Sequence, residues 1–462
     1  MFNVAAQREA ILNAPLETSN FGETPDLATL YIPSSHLKAL RLDSSIVIGG
    51  RGVGKSFWTA ALESNEIRAL LKPDLQELDG LELHTGFSAR PSLNYPDADT
   101  FRALLSKQFT PYDIWRTIIF HLVTNQKFTS WPEIVLWFRE NPETVNRIML
   151  EFDRRRALIV FDALDRTSDD WRQMDDIVRD LLRAVLWSKS YKGLFVKVFL
   201  RDDQAERTVF DFPDASKLSA NKANLTWMRH DLHGLLWQRL IHSRKYAELM
   251  REICNAENDQ QNSTLWRLPL DMKRESDVQR KAFEKLAGPW MGKDKRRGVP
   301  YVWAVGHLAD GWGKTSPRSF LAAIHQAAEN SQTKYPDHAY ALHYESIKLG
   351  IQKASEIRVD ELAEDYPWIR EVLSALQSQN VPCVYEDILA RWRIKFPQGA
   401  DSIPRKEKLP AQHSDQGWDG IRKDLQRLGL IEERKDGRID MPDLFRVGFN
   451  LGRKGGVSPK KK

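Results

Sequence analysis

The stretch that decides the fold reads Ser45-Ile46-Val47-Ile48-Gly49-Gly50-Arg51-Gly52-Val53-Gly54-Lys55-Ser56. Its first four residues predict a short buried strand, and a helix is expected to begin at its end. Between strand and helix, residues 49–56 match the Walker A pattern of a glycine, four residues, then glycine, lysine and serine. Glycines let backbone N–H groups converge on phosphate oxygens, and a helix N terminus favours negative charge. This stretch therefore predicts a phosphate-binding loop, against the alternative of a glycine-rich turn that holds no nucleotide.

The predicted loop supplies most of the candidate binding residues. Lys55 is expected to reach the β- and γ-phosphates and Ser56 to ligate Mg²⁺. The full predicted set of nucleotide contacts in this region is Gly49, Gly50, Arg51, Gly52, Val53, Gly54, Lys55, Ser56 and Phe57.

A second candidate feature follows the apolar run 158–161. Asp162 comes directly after that predicted strand, at the edge where nucleotide-binding sheets place their ligands. A carboxylate there suits Mg²⁺, because a hard cation prefers oxygen ligands. Asp165, three residues on, is predicted either to orient the attacking water or to cap the following helix.

The pattern of strands and helices predicts an α/β fold, with a mostly parallel sheet forming the core of a P-loop NTPase. Further strands are expected at 81–87 and 194–200, and a helical insertion at about 100–156. We predict three domains: the α/β core over 1–225, a helical lid or sensor region over 226–352, and a winged helix–turn–helix over 353–462.

The winged-helix prediction depends on residues near the C terminus. Trp418, Ile421, Leu425 and Leu428 share one face of a helix, and Lys435-Asp436-Gly437 predicts the turn of a β-hairpin. Residues 371–462 hold 18 basic and 13 acidic residues, and so contain the chain's whole net charge of +5. That excess favours DNA, whereas the acidic residues of the hairpin oppose it, so DNA and protein both remain candidate partners.

Composition excludes several classes of protein. With 462 residues, 42% of them apolar, the chain can bury large cores. Apolar runs are far shorter than the ~20 residues that a membrane span needs, and no signal peptide is recognisable. Two cysteines predict neither a disulfide framework nor a zinc cluster. We therefore expect a cytoplasmic protein with no membrane partner.

The combination of Gly-Gly-Arg-Gly-Val-Gly-Lys-Ser with Val-Phe-Asp-Ala-Leu-Asp-Arg resembles the AAA+/STAND branch of P-loop ATPases, and the Asp-x-x-Asp-Arg ending resembles bacterial KAP-type ATPases. The resemblance implies sensor roles for Arg201 and Arg318. The alternatives are an ion pair of Arg201 with its neighbours Asp202 and Asp203, and a surface charge near a helix start for Arg318. The resemblance also implies a role as an arginine finger for Arg166, and it implies that the leader containing Phe21 and Gly22 packs on adenine, with a simple turn as the alternative. One departure is Ala163, where AAA+ proteins usually have glutamate, which puts efficient hydrolysis in doubt.

From this resemblance and the motifs we expect a switch that binds ATP and Mg²⁺ and controls a partner. The base-reading motif of a GTPase is not matched, because Asn221-Lys222-Ala223-Asn224 ends without a carboxylate. The expected partners are further copies of the chain or an effector protein, with antiphage defence as the implied setting. The alternatives are an ATP-controlled DNA-binding or DNA-loading protein, and a scaffold that binds ATP without hydrolysing it.

Overall fold

The structure is a computed structural model, and it describes residues 3–17, 23–124, 126–152, 155–259, 264–404, 409–454 and 457–459. The chain forms two compact units. The first, the sheet unit, is built on Ile32–Thr226. The second, the helical unit, contains Asp26–Tyr31, Trp227–Lys462 and the N-terminal segment.

A parallel five-stranded sheet is the centre of the sheet unit. Its strands in chain order are β1 (Ile46–Ile48), β2 (Glu82–Phe87), β3 (Ala157–Phe161), β4 (Leu194–Leu200) and β5 (Ala223–Asn224). In space they run β2-β3-β4-β1-β5, with every neighbouring pair parallel. Strands β1 and β3 are buried along their whole length, as expected for a parallel sheet covered on both faces. The predicted α/β core with a parallel sheet is therefore confirmed.

Helices cover the sheet and complete its core. The predicted insertion forms four helices. Trp115, in the second of them (Pro111–Thr124), packs edge-on against Phe87 of β2 and Phe161 of β3. This aromatic cluster ties the insertion to the strands that end at the candidate site. The described α-helices of this unit are Ser34–Leu40, Lys55–Glu63, Asn65–Leu71, Ala98–Ser106, Pro111–Thr124, Trp131–Glu140, Pro142–Glu151, Trp171–Ser188 and Ser216–Ser219.

One charged residue lies inside the sheet. Lys197 in β4 is 1% exposed, and its Nζ donates hydrogen bonds to the carbonyl oxygens of Ala39, Arg41 and Ser44 at 2.7, 2.9 and 2.7 Å. Three donors thus meet three acceptors, which offsets the cost of burying an ammonium group. These bonds hold the segment that enters β1, and so they help to position the start of the P-loop.

The described part of the helical unit contains mainly α-helices, with two short hairpins. The hairpins are β6 (Glu257–Asn258) with β7 (Trp266–Arg267), and β8 (Glu432–Glu433) with β9 (Ile439–Asp440). Its described α-helices are Val4–Leu12, Arg229–Leu240, Ala247–Cys254, Leu270–Arg274, Ser276–Ala287, Pro300–His307, Pro317–Lys334, Tyr344–Asp365, Pro367–Ser374, Tyr385–Lys395, Gly417–Arg427 and Asp443–Arg446. None of the helices in the described part of the chain has the length and apolar character that crossing a membrane requires.

Two predicted boundaries differ from the structure. The N-terminal helix, predicted within the α/β core, belongs to the helical unit. There the buried Arg8 donates to the carbonyl oxygens of Tyr335, Pro336 and Ala341, groups that follow the end of the helix Pro317–Lys334. The boundary predicted between residues 352 and 353 falls inside the continuous helix Tyr344–Asp365. Both differences arise from long-range packing, which local sequence patterns do not show.

Candidate nucleotide-binding site

The phosphate-binding loop connects β1 to the helix Lys55–Glu63. Gly52 and Gly54 have φ angles of +76° and +106°, a region that residues with a Cβ rarely adopt. A Cβ placed on Gly49 would lie 2.7 Å from Cγ2 of Val53. Glycine is therefore required here both for backbone conformation and for space.

Lys55 folds back over its own loop. Its Nζ donates to the carbonyl oxygens of Gly49 and Gly50, each at 2.7 Å. Burial lowers the pKa of Lys55 to about 8, and the nearby Arg201 lowers it as well, while three surrounding carboxylates act in the opposite direction. The ammonium form consequently predominates at neutral pH, and the loop carries a cation at the edge of the sheet.

Ser56 and Asp162 meet where the loop enters its helix. The Ser56 hydroxyl donates to Oδ2 of Asp162 at 2.9 Å. Asp162 is 5% exposed, and its backbone N–H donates to the carbonyl oxygen of Phe87, the last residue of β2. Burial raises the pKa of Asp162, and the Lys55 ammonium opposes that rise. A hydroxyl and a carboxylate form the kind of oxygen donor set that Mg²⁺ takes when it keeps waters and substrate phosphates as its other ligands.

Asp165, which follows β3, lies beside Arg201, which follows β4. Ala163 adopts a left-handed conformation with φ +58°, and the 3₁₀ turn Leu164–Arg166 follows. Oδ2 of Asp165 is 3.5 Å from Nη1 of Arg201. The N-cap of the next helix is Asp170, whose carboxylate accepts a hydrogen bond from the N–H of Gln173 at 2.9 Å. The alternative role of Asp165 as the cap of that helix is therefore wrong.

Arg201 follows β4 directly and contacts two carboxylates. Besides Asp165, its Nε lies 3.3 Å from Oδ1 of the buried Asp203. Its backbone N–H donates to Oε1 of Gln204 at 3.0 Å. The guanidinium group is thus held at the end of the strand between β1 and β3, where the resemblance placed a sensor.

Other residues near the loop were missed by sequence reasoning. Oδ2 of Asp202 would lie 3.2 Å from a Cβ on Gly50, so this carboxylate borders the loop itself. A cleft of ≈ 160 Å³ is lined by Ser56 and Asp162 together with Thr59, Ala60, Glu63, Ser88, Ala89, Arg90 and Arg166. Ser88 and Arg90 come just after β2, and the rule that ligands bind at the carboxyl ends of parallel strands was the available signal.

The sensor role of Arg318 and the adenine contact of Phe21 and Gly22 stay predictions. Arg318 lies in the helical unit, where its Nη1 is 2.6 Å from Oε1 of Glu361. The other oxygen of Glu361 accepts from Nη1 of Arg358 at 3.2 Å. Phe21 and Gly22, predicted to pack on adenine, lie outside the described residues.

A glycine loop between β1 and its helix, with Asp162 after β3 bonded to the loop serine, defines the core of a P-loop NTPase. No protein-family model matches the sequence, and the comparison with curated proteins found no match.

The chain also matches solved structures, among them the following two. The Walker-type ATPase paby2304 of Pyrococcus abyssi is 13% identical with a TM-score of 0.35, over 92% of this chain and 97% of that one. The Aeropyrum pernix ORC2 protein, in ADPNP–ADP complexes, is 15% identical with a TM-score of 0.30, over 94% and 93%. TM-scores this low establish neither a shared overall fold nor a shared function, so the class rests on the sheet and the loop.

Proposed function

We propose that this protein is a Mg²⁺-dependent switch that binds and hydrolyses ATP to control a partner or an assembly. The observation that carries the proposal is the 2.9 Å contact between Ser56 and Asp162 beside Lys55. It places two candidate metal ligands and a cation at one edge of a parallel sheet, and these are the groups that polarise and hold a triphosphate. ATP is preferred to GTP because the chain lacks the carboxylate that reads guanine.

Hydrolysis needs a group that orients or deprotonates the attacking water. Ala163 cannot supply it, and Asp165 is the next carboxylate along the chain. In this proposal Arg201 positions Asp165 through their 3.5 Å ion pair and also faces the charge that develops on the transferred phosphoryl group. Arg166, which lines the cleft beside Ser56 and Asp162, is a further candidate for the same charge.

The helical unit is the proposed output of the switch, and its C-terminal part has the element order of a winged helix–turn–helix. The helices Tyr385–Lys395 and Gly417–Arg427 precede the hairpin β8–β9, and Cys383 pairs with Ile439 of β9. An isolated β-bridge, two helices and a hairpin, in this order, support the winged-helix assignment.

The charges of that module favour a protein partner over DNA. Arg422 is paired with Glu433 of β8, Arg434 with the buried Asp440, and Arg438 with Asp436. Each of these cations already has a carboxylate, which opposes a second contact with a phosphate group. DNA loading through this module is the second candidate function, supported by its element order. A cytoplasmic location and a role in antiphage defence rest on composition and resemblance alone and stay predictions.

The test is ATP turnover, measured as phosphate release from the full chain. Wild type should release phosphate only with Mg²⁺, Asp162→Asn should be inactive, and Asp176→Asn, a change at an exposed carboxylate, should behave as wild type. Turnover that persists in Asp162→Asn would contradict the proposal. If wild type binds ATP without turning it over, the scaffold alternative replaces the hydrolysing switch. Light scattering of the full chain with ATP and with ADP would then show whether its oligomeric state depends on which nucleotide is bound.

A further inference from the structure

We propose that an exposed basic turn of the helical unit binds the phosphodiester backbone of nucleic acid. This basic turn is Lys293–Arg297, with the sequence Lys-Asp-Lys-Arg-Arg. It lies outside both the P-loop site and the predicted winged helix, and sequence analysis did not single it out.

The charge of the basic turn is concentrated and open to solvent. Lys293, Lys295, Arg296 and Arg297 are all exposed. The one carboxylate among them, Asp294, contacts Arg296 at 3.1 Å, and the Arg296 side chain is still 85% exposed. Within the ranges that the structure describes, Lys293, Lys295 and Arg297 form no ion pair. Most of this charge is therefore available to a polyanion.

Main-chain hydrogen bonds hold the turn in one shape. The N–H of the buried Met291 donates to the carbonyl oxygen of Gly298 at 2.8 Å and closes the loop. Inside it, Lys295–Arg297 form a 3₁₀ turn that Asp294 caps by accepting from the N–H of Arg296 at 2.9 Å. Because the backbone is already ordered, binding a ligand costs less conformational entropy than it would for a flexible tail.

The surroundings of the turn also suit a nucleic acid. Residues 273–297 contain nine basic and four acidic residues, although the chain before residue 371 is neutral overall. The ring of Trp303 lies next to Gly298, at 3.2 Å from the position of a Cβ there, and packs on His307 with a centroid distance of 4.0 Å. Cations beside half-exposed aromatic rings are typical of surfaces that contact both phosphates and unpaired bases.

The same features argue against the other polyanions. An acidic membrane is held by an amphipathic helix with a broad apolar face, whereas this surface is a single tight turn. The basic turn also differs from the hairpin β8–β9, because the arginines of that hairpin are paired with carboxylates. Nucleic acid carries a dense row of phosphates, and a cluster of cations gains most from the counterions that such a row releases.

The experiment measures the anisotropy of a labelled DNA duplex, and of a labelled single strand of equal length, between 50 and 200 mM salt. The test variant combines Lys293→Ser, Lys295→Ser, Arg296→Ser and Arg297→Ser. The matched control removes four other exposed cations by Lys217→Ser, Lys222→Ser, Lys423→Ser and Lys435→Ser, two of them in the predicted winged helix. Thermal melting and ATP turnover of both variants are measured in parallel and should match wild type, so the result does not depend on the proposed ATPase.

We expect the test variant to bind DNA at least about tenfold more weakly than wild type at 50 mM salt. The slope of log affinity against log salt should be smaller in magnitude by about 2–4, because each lost phosphate contact removes ~0.9 from that slope. The control should stay close to wild type. Tighter binding of duplex or of single strand identifies the form that is bound. Equal affinities of wild type and test variant would overturn the proposal, as would an equal loss in the control. Wild-type binding to phosphatidylserine vesicles but to neither DNA would also overturn it.

Discussion

The side chains of Ser56 and Asp162, 106 positions apart in the chain, meet in a hydrogen bond of 2.9 Å. Ser56 belongs to the loop after β1 and Asp162 follows β3, and β4 lies between these two strands in the sheet. The contact therefore depends on the correct pairing of three parallel strands. It also brings together the two oxygen ligands that we assign to Mg²⁺, so the sheet builds the candidate site.

The pKa of Lys55 predicts how ATP affinity depends on pH. In the free protein, burial lowers this pKa to about 8, whereas the phosphates of a bound nucleotide would raise it. Binding then takes up a proton above pH 8, so affinity should fall as pH rises from 8 to 9, by at most about tenfold per pH unit. Between pH 6 and 7 this lysine is protonated in both states and contributes no pH dependence. Calorimetric titrations from pH 7 to 9 test this, with Lys55→Arg as the control that keeps its charge; a flat wild-type profile would refute the assignment.

The pair of Asp165 and Arg201 predicts a loss of turnover without a loss of binding. Asp165→Asn should keep ATP affinity within about threefold and lower kcat by about 10²-fold or more, because a general base contributes about 10²–10⁴-fold. Arg201→Gln should lower kcat as well, since it removes the partner that positions Asp165 at 3.5 Å. Single-turnover phosphate release measures both variants, with Asp170→Asn, at the neighbouring helix cap, as the control. Full activity of Asp165→Asn would leave Asp165 without a catalytic role.

Lys197 predicts an effect on folding stability. Lys197→Met keeps much of the side-chain volume in β4 but leaves three buried carbonyl oxygens without their donor. The expected loss is about 1–3 kcal/mol of unfolding free energy, the cost of unsatisfied buried polar groups. Urea denaturation followed by circular dichroism measures it, and Lys107→Met at an exposed position should change little. A Lys197→Met protein as stable as wild type would show that these three bonds contribute nothing net.

Arg318 and Glu361 predict opposite effects on nucleotide affinity. If Arg318 is a sensor, the 2.6 Å ion pair with Glu361 competes with nucleotide for it. Glu361→Gln should then tighten ATP binding and Arg318→Gln should weaken it, each by several-fold. Binding of a fluorescent ATP analogue distinguishes these results. Changes of the same sign, or unchanged affinity in both variants, would mean that the pair only packs the helix Pro317–Lys334 on Tyr344–Asp365.

Local patterns were sufficient for four of the five sheet strands and for the loop, but not for β5. The predicted strand 194–200 matches β4 residue for residue, and Asp162 follows β3 as predicted. These elements have short-range causes: a run of apolar residues, a glycine loop and a helix start.

Other features depend on contacts between distant parts of the chain. Neither the position of β4 between β1 and β3 nor the three carbonyl partners of Lys197 has a local signal. The same holds for Asp202 against Gly50, and for the N-terminal helix, whose Arg8 binds carbonyl groups more than 320 residues away. Net charge summed over long stretches also did not indicate the basic turn, because the chain before residue 371 is neutral overall although residues 273–297 contain nine basic and four acidic residues.

The most direct test of the central claim is the calorimetric binding of ATP to the full chain with and without Mg²⁺, in wild type, Lys55→Ala and Asp162→Ala. Lys107→Ala and Asp176→Ala serve as controls for loss of an exposed charge of each sign. We predict tight, Mg²⁺-dependent binding in wild type and both controls. In Lys55→Ala and Asp162→Ala, binding should be weaker by at least about 10²-fold with the fold intact, equivalent to ~2.7 kcal/mol. Unchanged ATP affinity in both site variants would contradict the account.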